Sequence, residues 1–312
     1  MKVLIIRFSS IGDLLLCTPV IRCVKQQKQA QLTLLTSHKF KGLLASNPYL
    51  DEIVTDQAGI MATRQWIIDQ HFDLIIDLHK NRKSWLMTLA VGSRVMRFQK
   101  LNIAKWWLVQ TKQNLLPKEH LVDRYFDSLS QVSVINDGLG LDYFTDTNTR
   151  LPVLPHEYNV IVLGAAHKTK RIPKQVAKKW ILTSQLPVVI IGGQDVADEG
   201  AAIHNEFIEK TVNFAGRLTL DESAVVLSHA RHIVTGDTGM MHLAAALKKE
   251  VIVLWGNTTP VFGMYPYYGN LGIKWDSKEV QRLSCRPCSK LGYDACPKGH
   301  FHCMLLQKEE VW

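Results

Sequence analysis

One carboxylate stands where chemistry is plausible. Residues 7–13 read Arg-Phe-Ser-Ser-Ile-Gly-Asp, so Asp13 directly follows Gly12, the only glycine in a turn that leaves an apolar run. Glycine-rich strand-to-helix turns commonly hold phosphates on bare N–H groups, and a carboxylate there would repel one. Two readings stay open. Asp13 caps the helix that follows, a contribution of about 1 kcal/mol with the helix dipole, or it serves as a general base. An exposed Asp titrates at about 3.9, so the second reading expects burial to raise it.

Three further stretches could handle anions. In Gly-Asp-Thr-Gly-Met-Met-His-Leu-Ala-Ala-Ala-Leu, 236–247, Thr238 and Gly239 put free N–H groups at a helix start, with His242 one turn further on the same side. The alternative is an Asp237 cap followed by a core helix. The stretch 167–173, His-Lys-Thr-Lys-Arg-Ile-Pro, gathers cations at a helix start marked by Pro173. Such a cluster can neutralise a diphosphate, or be a solvated loop. Segment 92–118 carries six basic residues, no acid and three aromatics, Phe98, Trp106 and Trp107. It suits an anionic acceptor, an anionic membrane surface or nucleic acid, or is an ordinary basic helix.

The elements that must position these groups alternate. Strand candidates fall at 2–7, 31–35, 52–54, 73–77, 159–163, 187–192, 232–235 and 250–255. Most are continuous Val- and Ile-rich runs, as in strands buried on both faces of a parallel sheet. Helical stretches such as 13–27, 174–184 and 221–230 lie between them, giving repeated βα units. The pattern halts across 141–159, a polar stretch with two prolines, and then restarts. This predicts an α/β protein of two Rossmann-like domains, 1–150 and 151–290. A cysteine-rich tail, 291–312, is a candidate to pack back on the first domain. Ligands of open α/β sheets bind beyond the carboxyl ends of the strands. The domains are therefore expected to face each other across a central cleft with the motifs at its mouth.

Composition narrows the class. The 312 residues are 46% hydrophobic and 21% charged, enough to bury cores without staples. A net charge of +9 favours an anionic partner. Residues 251–273 lack charge but contain prolines, glycines and asparagines, unlike a membrane span of about 20 apolar residues. Arg7 interrupts the first apolar run before it reaches signal-peptide length. A cytoplasmic chain in peripheral contact with a membrane face is the expectation.

Together these motifs resemble a known family. Arg-Phe-Ser-Ser-Ile-Gly-Asp, Asp-Leu-His-Lys-Asn-Arg-Lys-Ser at 77–84, the 167–173 cluster, and above all 236–247 followed by Val-Ile-Val-Leu-Trp-Gly-Asn-Thr-Thr-Pro at 251–260 carry the likeness. They are similar to the heptosyltransferases of lipopolysaccharide core synthesis, in glycosyltransferase family 9. The resemblance implies a GT-B fold, with the acceptor domain first and the donor domain second. It also implies inverting, metal-independent transfer of heptose from ADP-L-glycero-D-manno-heptose to a lipopolysaccharide inner-core or related glycan acceptor. On its motifs, Asp13 takes the role of general base and Lys170 meets the donor diphosphate. Asp237, Thr238, Gly239 and His242 form the donor loop, and Leu218 lies where the family's adenine pocket forms. Ser10, Gly12, Arg97 and Lys100 are candidate acceptor-binding residues. Where the family commonly has small hydroxyl residues after its first donor-domain strand, this chain has Ala165 and Ala166. The implied partners are an ADP-sugar donor and an anionic glycolipid or glycan, with peripheral contact at the inner membrane and no nucleic acid. No cofactor is implied for catalysis. Inversion needs a base for the acceptor hydroxyl and an anion site for the leaving diphosphate. A base on one domain and an anion site on the other would meet both needs.

Six cysteines remain. Cys17 and Cys23 read as buried thiols of the first helix. Cys285, Cys288, Cys296 and Cys303 crowd the C-terminus with His300 and His302 among them. Cys-x2-Cys resembles half a structural zinc site, but the second pair is widely spaced. Zinc, disulfides and reduced thiols stay open there; zinc would staple the tail, take no part in transfer, and is not expected. Two other functions compete with the transferase. A sugar-nucleotide epimerase on the same fold would form product without an acceptor. A non-catalytic nucleotide- or anionic-lipid-binding protein would leave Asp13 dispensable.

Overall fold

The computed structural model describes residues 1–56, 59–150, 152–308 and 312. Along the chain come β1 (Lys2–Ile6), α1 (Ile11–Leu15), α2 (Thr18–Lys28), β2 (Gln31–Thr36), β3 (Glu52–Thr55), α3 (Ile60–Asp69), β4 (Leu74–Asp77), α4 (Arg82–Met87) and β5 (Arg94–Arg97). Then follow α5 (Asn102–Thr111), α6 (Leu121–Asp127), β6 (Asn159–Val162), α7 (Lys174–Thr183), β7 (Val188–Ile191), α8 (Ala197–Glu206) and β8 (Thr211–Asn213). The chain closes with α9 (Leu220–His229), β9 (Ile233–Gly236), α10 (Gly239–Ala246), β10 (Val251–Trp255), β11 (Trp275–Glu279) and α11 (His302–Leu305). Two compact units result. Unit 1 holds Met1–Lys100, Glu119–Phe144 and Tyr267–Leu271; unit 2 holds Leu101–Lys118, Thr145–Pro266 and Gly272–Trp312.

Unit 1 is built on a sheet of order β3-β2-β1-β4-β5, all neighbours parallel. Its centre is the run Val3–Ile6, fully buried because helices cover both faces. The sequence suggests one helix over 13–27, but two form. Pro19, within the first turn of α2, cannot donate to the preceding turn, and the Thr18 hydroxyl donates to the Leu15 carbonyl instead (2.7 Å). Arg22 on α2 is buried and ties down the segment that follows α6. Its guanidinium holds Asp137 through two bonds of 2.7 Å, donates to the Gly140 carbonyl (3.0 Å), and pairs with Asp142. Residues 267–271 lie against that segment. The Asn270 N–H donates to the Gly138 carbonyl (2.7 Å), and a Cβ on Gly140, at φ +69°, would sit 3.0 Å from the Tyr268 backbone.

Unit 2 has the order β11-β10-β9-β6-β7-β8, again parallel throughout. Its core joins Ile161, Trp180, Ile190, Val234 and Leu254 with Cys303 and Met304 of the C-terminal segment. The Trp312 indole donates to the Trp180 carbonyl (2.7 Å), its ring edge-on to Trp180 at 5.4 Å. The tail thus belongs to unit 2, not to the first domain, because its apolar side chains complete the unit 2 core.

The division also departs from a single cut at 150/151. The N-terminal portion of unit 1 ends at Phe144, and residues 145–158 form neither helix nor strand among those described; Leu151 lies outside the described residues. The basic segment 92–118 is split: β5 closes the unit 1 sheet and α5 packs on unit 2. Strands β5, β8 and β11 escape the sequence reading because their runs are short or polar: Arg94-Val-Met-Arg97 has only two apolar residues between arginines, and Trp275–Glu279 is mostly polar. Met304, fully buried, and Leu306, largely exposed, separate packing from proximity in the tail. Met304→Ala is expected to destabilise unit 2 by about 3 kcal/mol, and Leu306→Ala by under about 0.5. Thermal melts followed by circular dichroism check this; equal melting of the two variants would contradict the assignment.

Candidate active site

In a parallel sheet every strand ends on the same edge. The strand order reverses between β1 and β4 in unit 1 and between β6 and β9 in unit 2, the places where α/β sheets receive ligands. The motif residues collect at these two points.

In unit 1, the turn after β1 carries Asp13 as the third residue of α1, with Ser10 as the N-cap and Gly12 buried between them. Both carboxylate oxygens are engaged. One accepts from the Ser10 N–H (3.1 Å) and hydroxyl (2.9 Å), so Asp13 does cap its helix. The other pairs with the Arg7 guanidinium. Arg7 is itself buried, donating to the carbonyls of Ser9 (2.8 Å) and Leu78 and reaching the Tyr125 hydroxyl (3.4 Å). Burial would push the Asp13 carboxyl up, but the Arg7 cation and the two Ser10 donors outweigh it and hold Asp13 below the usual carboxylate range. The expectation that the site raises this group is therefore corrected: burial brings a cation with it.

Across the switch point, the 77–84 loop is bolted by Asp77, fully buried at the end of β4. It accepts from the N–H groups of His79 (3.1 Å) and Lys80 (2.7 Å) and from the Ser84 hydroxyl (2.8 Å), and faces Arg97 at 3.4 Å. Arg97 also reaches the Thr88 hydroxyl. With Lys80, Arg82, Trp85 and Leu86 it lines a cavity of about 480 Å³. His79 packs edge-on against Phe8 at 5.0 Å. Burial, then the charges of Arg7 and Lys100, lower its imidazole to about 4, leaving a neutral ring close to Asp13. Sequence reading missed Arg7 and His79. A charged residue ending an otherwise apolar buried strand was the available signal for the first.

In unit 2, Lys170 lies in the turn Lys168–Lys170 after β6, and Asp237 follows β9. Their side chains meet at 2.7 Å, and Asp237 also accepts from the Thr258 hydroxyl in the loop after β10 (2.7 Å). Two glycines permit this closeness. A Cβ at Gly236 would lie 2.4 Å from the Lys170 carbonyl, and one at Gly256 would lie 2.7 Å from that of Thr169. Thr238, not Asp237, caps α10, accepting from the Met240 N–H (3.2 Å), with Gly239 as the first helical residue. Asp237 is thereby left to Lys170. His242 is buried one turn into α10. Leu218 is half-buried in the loop between β8 and α9, and β8 stands two strands from β6 in the sheet.

The cysteine-rich segment braces these loops. Arg286 donates to the carbonyls of Gly256 (2.7 Å) and Thr258 (2.8 Å) and pairs with Glu279 (2.8 Å). The Cys288 N–H donates to the Asn257 carbonyl (3.0 Å), and the Tyr293 N–H to the Thr169 hydroxyl (2.8 Å). Cys285, Cys288, Cys296 and Cys303 are free thiols. Burial pushes Cys288 up to about 11 and Cys303 up to about 12, which opposes the thiolate that metals bind. Among the described residues, no group of three or more His, Cys, Asp or Glu side chains could hold a metal ion.

Comparison with known proteins settles the family. The model of glycosyltransferase family 9 (heptosyltransferase) matches residues 60–291. The chain belongs to glycosyltransferase family 9. It is similar to lipooligosaccharide heptosyltransferase 2 of Haemophilus influenzae, 23% identical over 84% of this chain and 85% of that protein. Lipopolysaccharide heptosyltransferase 1 of Campylobacter coli is 21% identical over 83% and 84%. The solved structure of Escherichia coli ADP-heptose lps heptosyltransferase II superposes with a TM-score of 0.68 at 21% identity, covering 98% of this chain and 99% of that one. Escherichia coli heptosyltransferase WaaC with ADP-2-deoxy-2-fluoro heptose gives 0.67 at 20% identity, covering 94% and 96%. The fold is GT-B, and the chain is a glycosyltransferase of the heptosyltransferase type, a family of lipopolysaccharide biosynthesis. No described helix is long and apolar enough to cross a membrane.

The Arg7 pairing makes a direct prediction. Carbon-13 NMR titration of Asp13 should give a midpoint below about 3.9 in the wild type. Arg7→Met should move it above that value, since burial then acts unopposed, and Ser10→Ala should raise it by less. A midpoint in Arg7→Met equal to the wild type's would contradict the pairing.

Proposed function

We propose that this glycosyltransferase moves heptose from an ADP-sugar onto a lipopolysaccharide inner-core or related glycan acceptor, with inversion and without a metal or other catalytic cofactor. What carries the reading is one arrangement: the Lys170 ammonium, held by Asp237 at 2.7 Å, beside the start of α10. A helix start with a fixed cation is suited to the two phosphates of a sugar nucleotide. Heptose and ADP are favoured by family membership and by the similar WaaC structure with its fluorinated ADP-heptose.

In the reaction the acceptor hydroxyl attacks the anomeric carbon. The bond from that carbon to the diphosphate oxygen breaks, and its electron pair leaves with ADP. The hydroxyl proton passes to Asp13. A carboxylate held at low pKa by Arg7 is a weak base, but it remains ionised throughout the neutral range. The proton becomes acidic only as the new bond forms, so a weak, correctly placed base suffices. Lys170 and the first-turn N–H groups of α10 take up the charge that develops on the leaving group. Thr238 and Gly239 supply the close backbone approach, His242, one turn into α10, belongs to the same donor loop, and Leu218 offers apolar contact for the adenine. Ser10, Gly12, Arg97 and Lys100 lie with Asp13 in unit 1 and serve the anionic acceptor. The protein would work in the cytoplasm at the inner membrane face.

Nucleoside diphosphate release from ADP-, UDP- and GDP-sugars, with and without lipopolysaccharide acceptors, tests this. Acceptor-dependent ADP release, reduced about 1,000-fold or more in Asp13→Ala, is expected. Acceptor-independent turnover, or undiminished release in the variant, would overturn the mechanism.

A further inference from the structure

The segment that braces the Lys170 and Thr258 loops carries two thiols within reach of each other. Cys285 and Cys288 are free and half-buried, with Arg286 and Pro287 between them. The Cys288 thiol donates to the Cys285 carbonyl (2.9 Å) and meets the Cys285 side chain. Cys285 also faces an imidazole: its sulfur lies 4.0 Å from His300 Nε2. His300 Nδ1 accepts from the His302 N–H (3.0 Å), which leaves the proton of the neutral ring on Nε2, toward the sulfur. A donor so placed stabilises the negative charge that a sulfur carries as a nucleophile. Burial pushes Cys288 up to about 11, which makes it the later sulfur to react. Cys17, Cys23 and Cys303 are buried, out of reach of an oxidant in solvent.

The two thiols flank the residue that holds the loop after β10. Arg286 donates to the carbonyls of Gly256 (2.7 Å), Thr258 (2.8 Å) and Val280 (3.2 Å). The Cys288 N–H donates to the Asn257 carbonyl (3.0 Å). Thr258 in turn holds Asp237, the partner of Lys170. A bond between the two sulfurs removes the S–H donor on the Cys285 carbonyl and draws the ends of this turn together. It therefore acts on Arg286 and on the Cys288–Asn257 bond at once.

We propose that Cys285 and Cys288 are a redox-active pair, which a small disulfide oxidant closes to an intramolecular disulfide, loosening the loop after β10. Cys285 loses its proton to solvent and attacks one sulfur of the oxidant. A new S–S bond forms, the oxidant's own S–S bond breaks, and one thiolate leaves with its electron pair. Cys288, its proton likewise lost to solvent, attacks the Cys285 sulfur and expels the second thiolate. Two cysteine thiols are oxidised, and one disulfide molecule is reduced to two thiols. That the loosened loop governs ADP rests on the proposed function; the disulfide and the loosening do not.

The test equilibrates full-length protein with glutathione and glutathione disulfide at stepped ratios, alkylates the remaining thiols, and locates the linkages by peptide mass spectrometry. Wild type is expected to form the Cys285–Cys288 disulfide, reversed by dithiothreitol, with Cys17, Cys23 and Cys303 still reduced. Cys288→Ser should stop at a glutathione adduct on Cys285, and Cys285→Ser should form no adduct on Cys288. His300→Phe, which keeps a ring against His302, should slow the Cys285 reaction about threefold or more. Hydrogen exchange of the Cys288 N–H should quicken about tenfold on oxidation of the wild type and stay unchanged in Cys285→Ser treated alike. Oxidised wild type should bind ADP about threefold or more weakly than the reduced protein. Reduced protein that binds no ADP would contradict the proposed function and leave the disulfide result standing. Wild type that forms no Cys285–Cys288 disulfide, or pairs Cys285 with Cys296 instead, would overturn the inference. So would a disulfide that leaves the Cys288 exchange unchanged, or a metal ion found on these thiols in the purified protein by elemental analysis.

Discussion

A parallel sheet whose strand order reverses has one point on its carboxyl edge where neighbouring crossovers depart to opposite faces. Backbone there is left uncovered, and whatever the loops carry is presented to a ligand. Both units of this protein are built on that constraint. The β1–β4 reversal fixes where Asp13 and His79 lie, and the β6–β9 reversal fixes where Lys170 and Asp237 lie. Neither pair is close in sequence; the parallel registers bring them together.

At each point the charges are paired and held by a second layer. Arg7 is buried among the Leu78 carbonyl, the Tyr125 hydroxyl and Asp13, so the carboxylate is held in place and its ionised form is favoured. Lys170 is held by Asp237, and Asp237 by Thr258, whose carbonyl in turn accepts from Arg286. The C-terminal segment therefore has a structural role: it anchors in the unit 2 core through Met304 and reaches the loops after β6 and β10. Truncating it would disturb the Lys170 turn without touching any charged group there.

Much of this was legible in sequence, for a reason that also marks the limits. Central strands such as Val3–Ile6 and Val188–Ile191 are buried on both faces, so they read as unbroken apolar runs. The edge strands β5, β8 and β11 have no such signature. Motif positions were readable because each follows a strand directly. Partners were not: nothing local in the sequence says that Arg7 turns toward Asp13, and burial considered without that cation gives the wrong direction for its pKa. Cysteine spacing likewise could not tell that Cys303 belongs to a hydrophobic core. The domain boundary was approximate because the chain crosses between units several times, through α5 and through residues 267–271.

The proposed transfer divides its labour, with Asp13 of unit 1 as the base and Lys170 of unit 2 at the anion site. Calorimetric titration of ADP into the wild type, Asp13→Ala and Lys170→Ala tests it without any acceptor. The account predicts the same affinity for Asp13→Ala as for the wild type, and a loss of about tenfold to a hundredfold for Lys170→Ala. Weakened ADP binding in Asp13→Ala, or undiminished binding in Lys170→Ala, would contradict it.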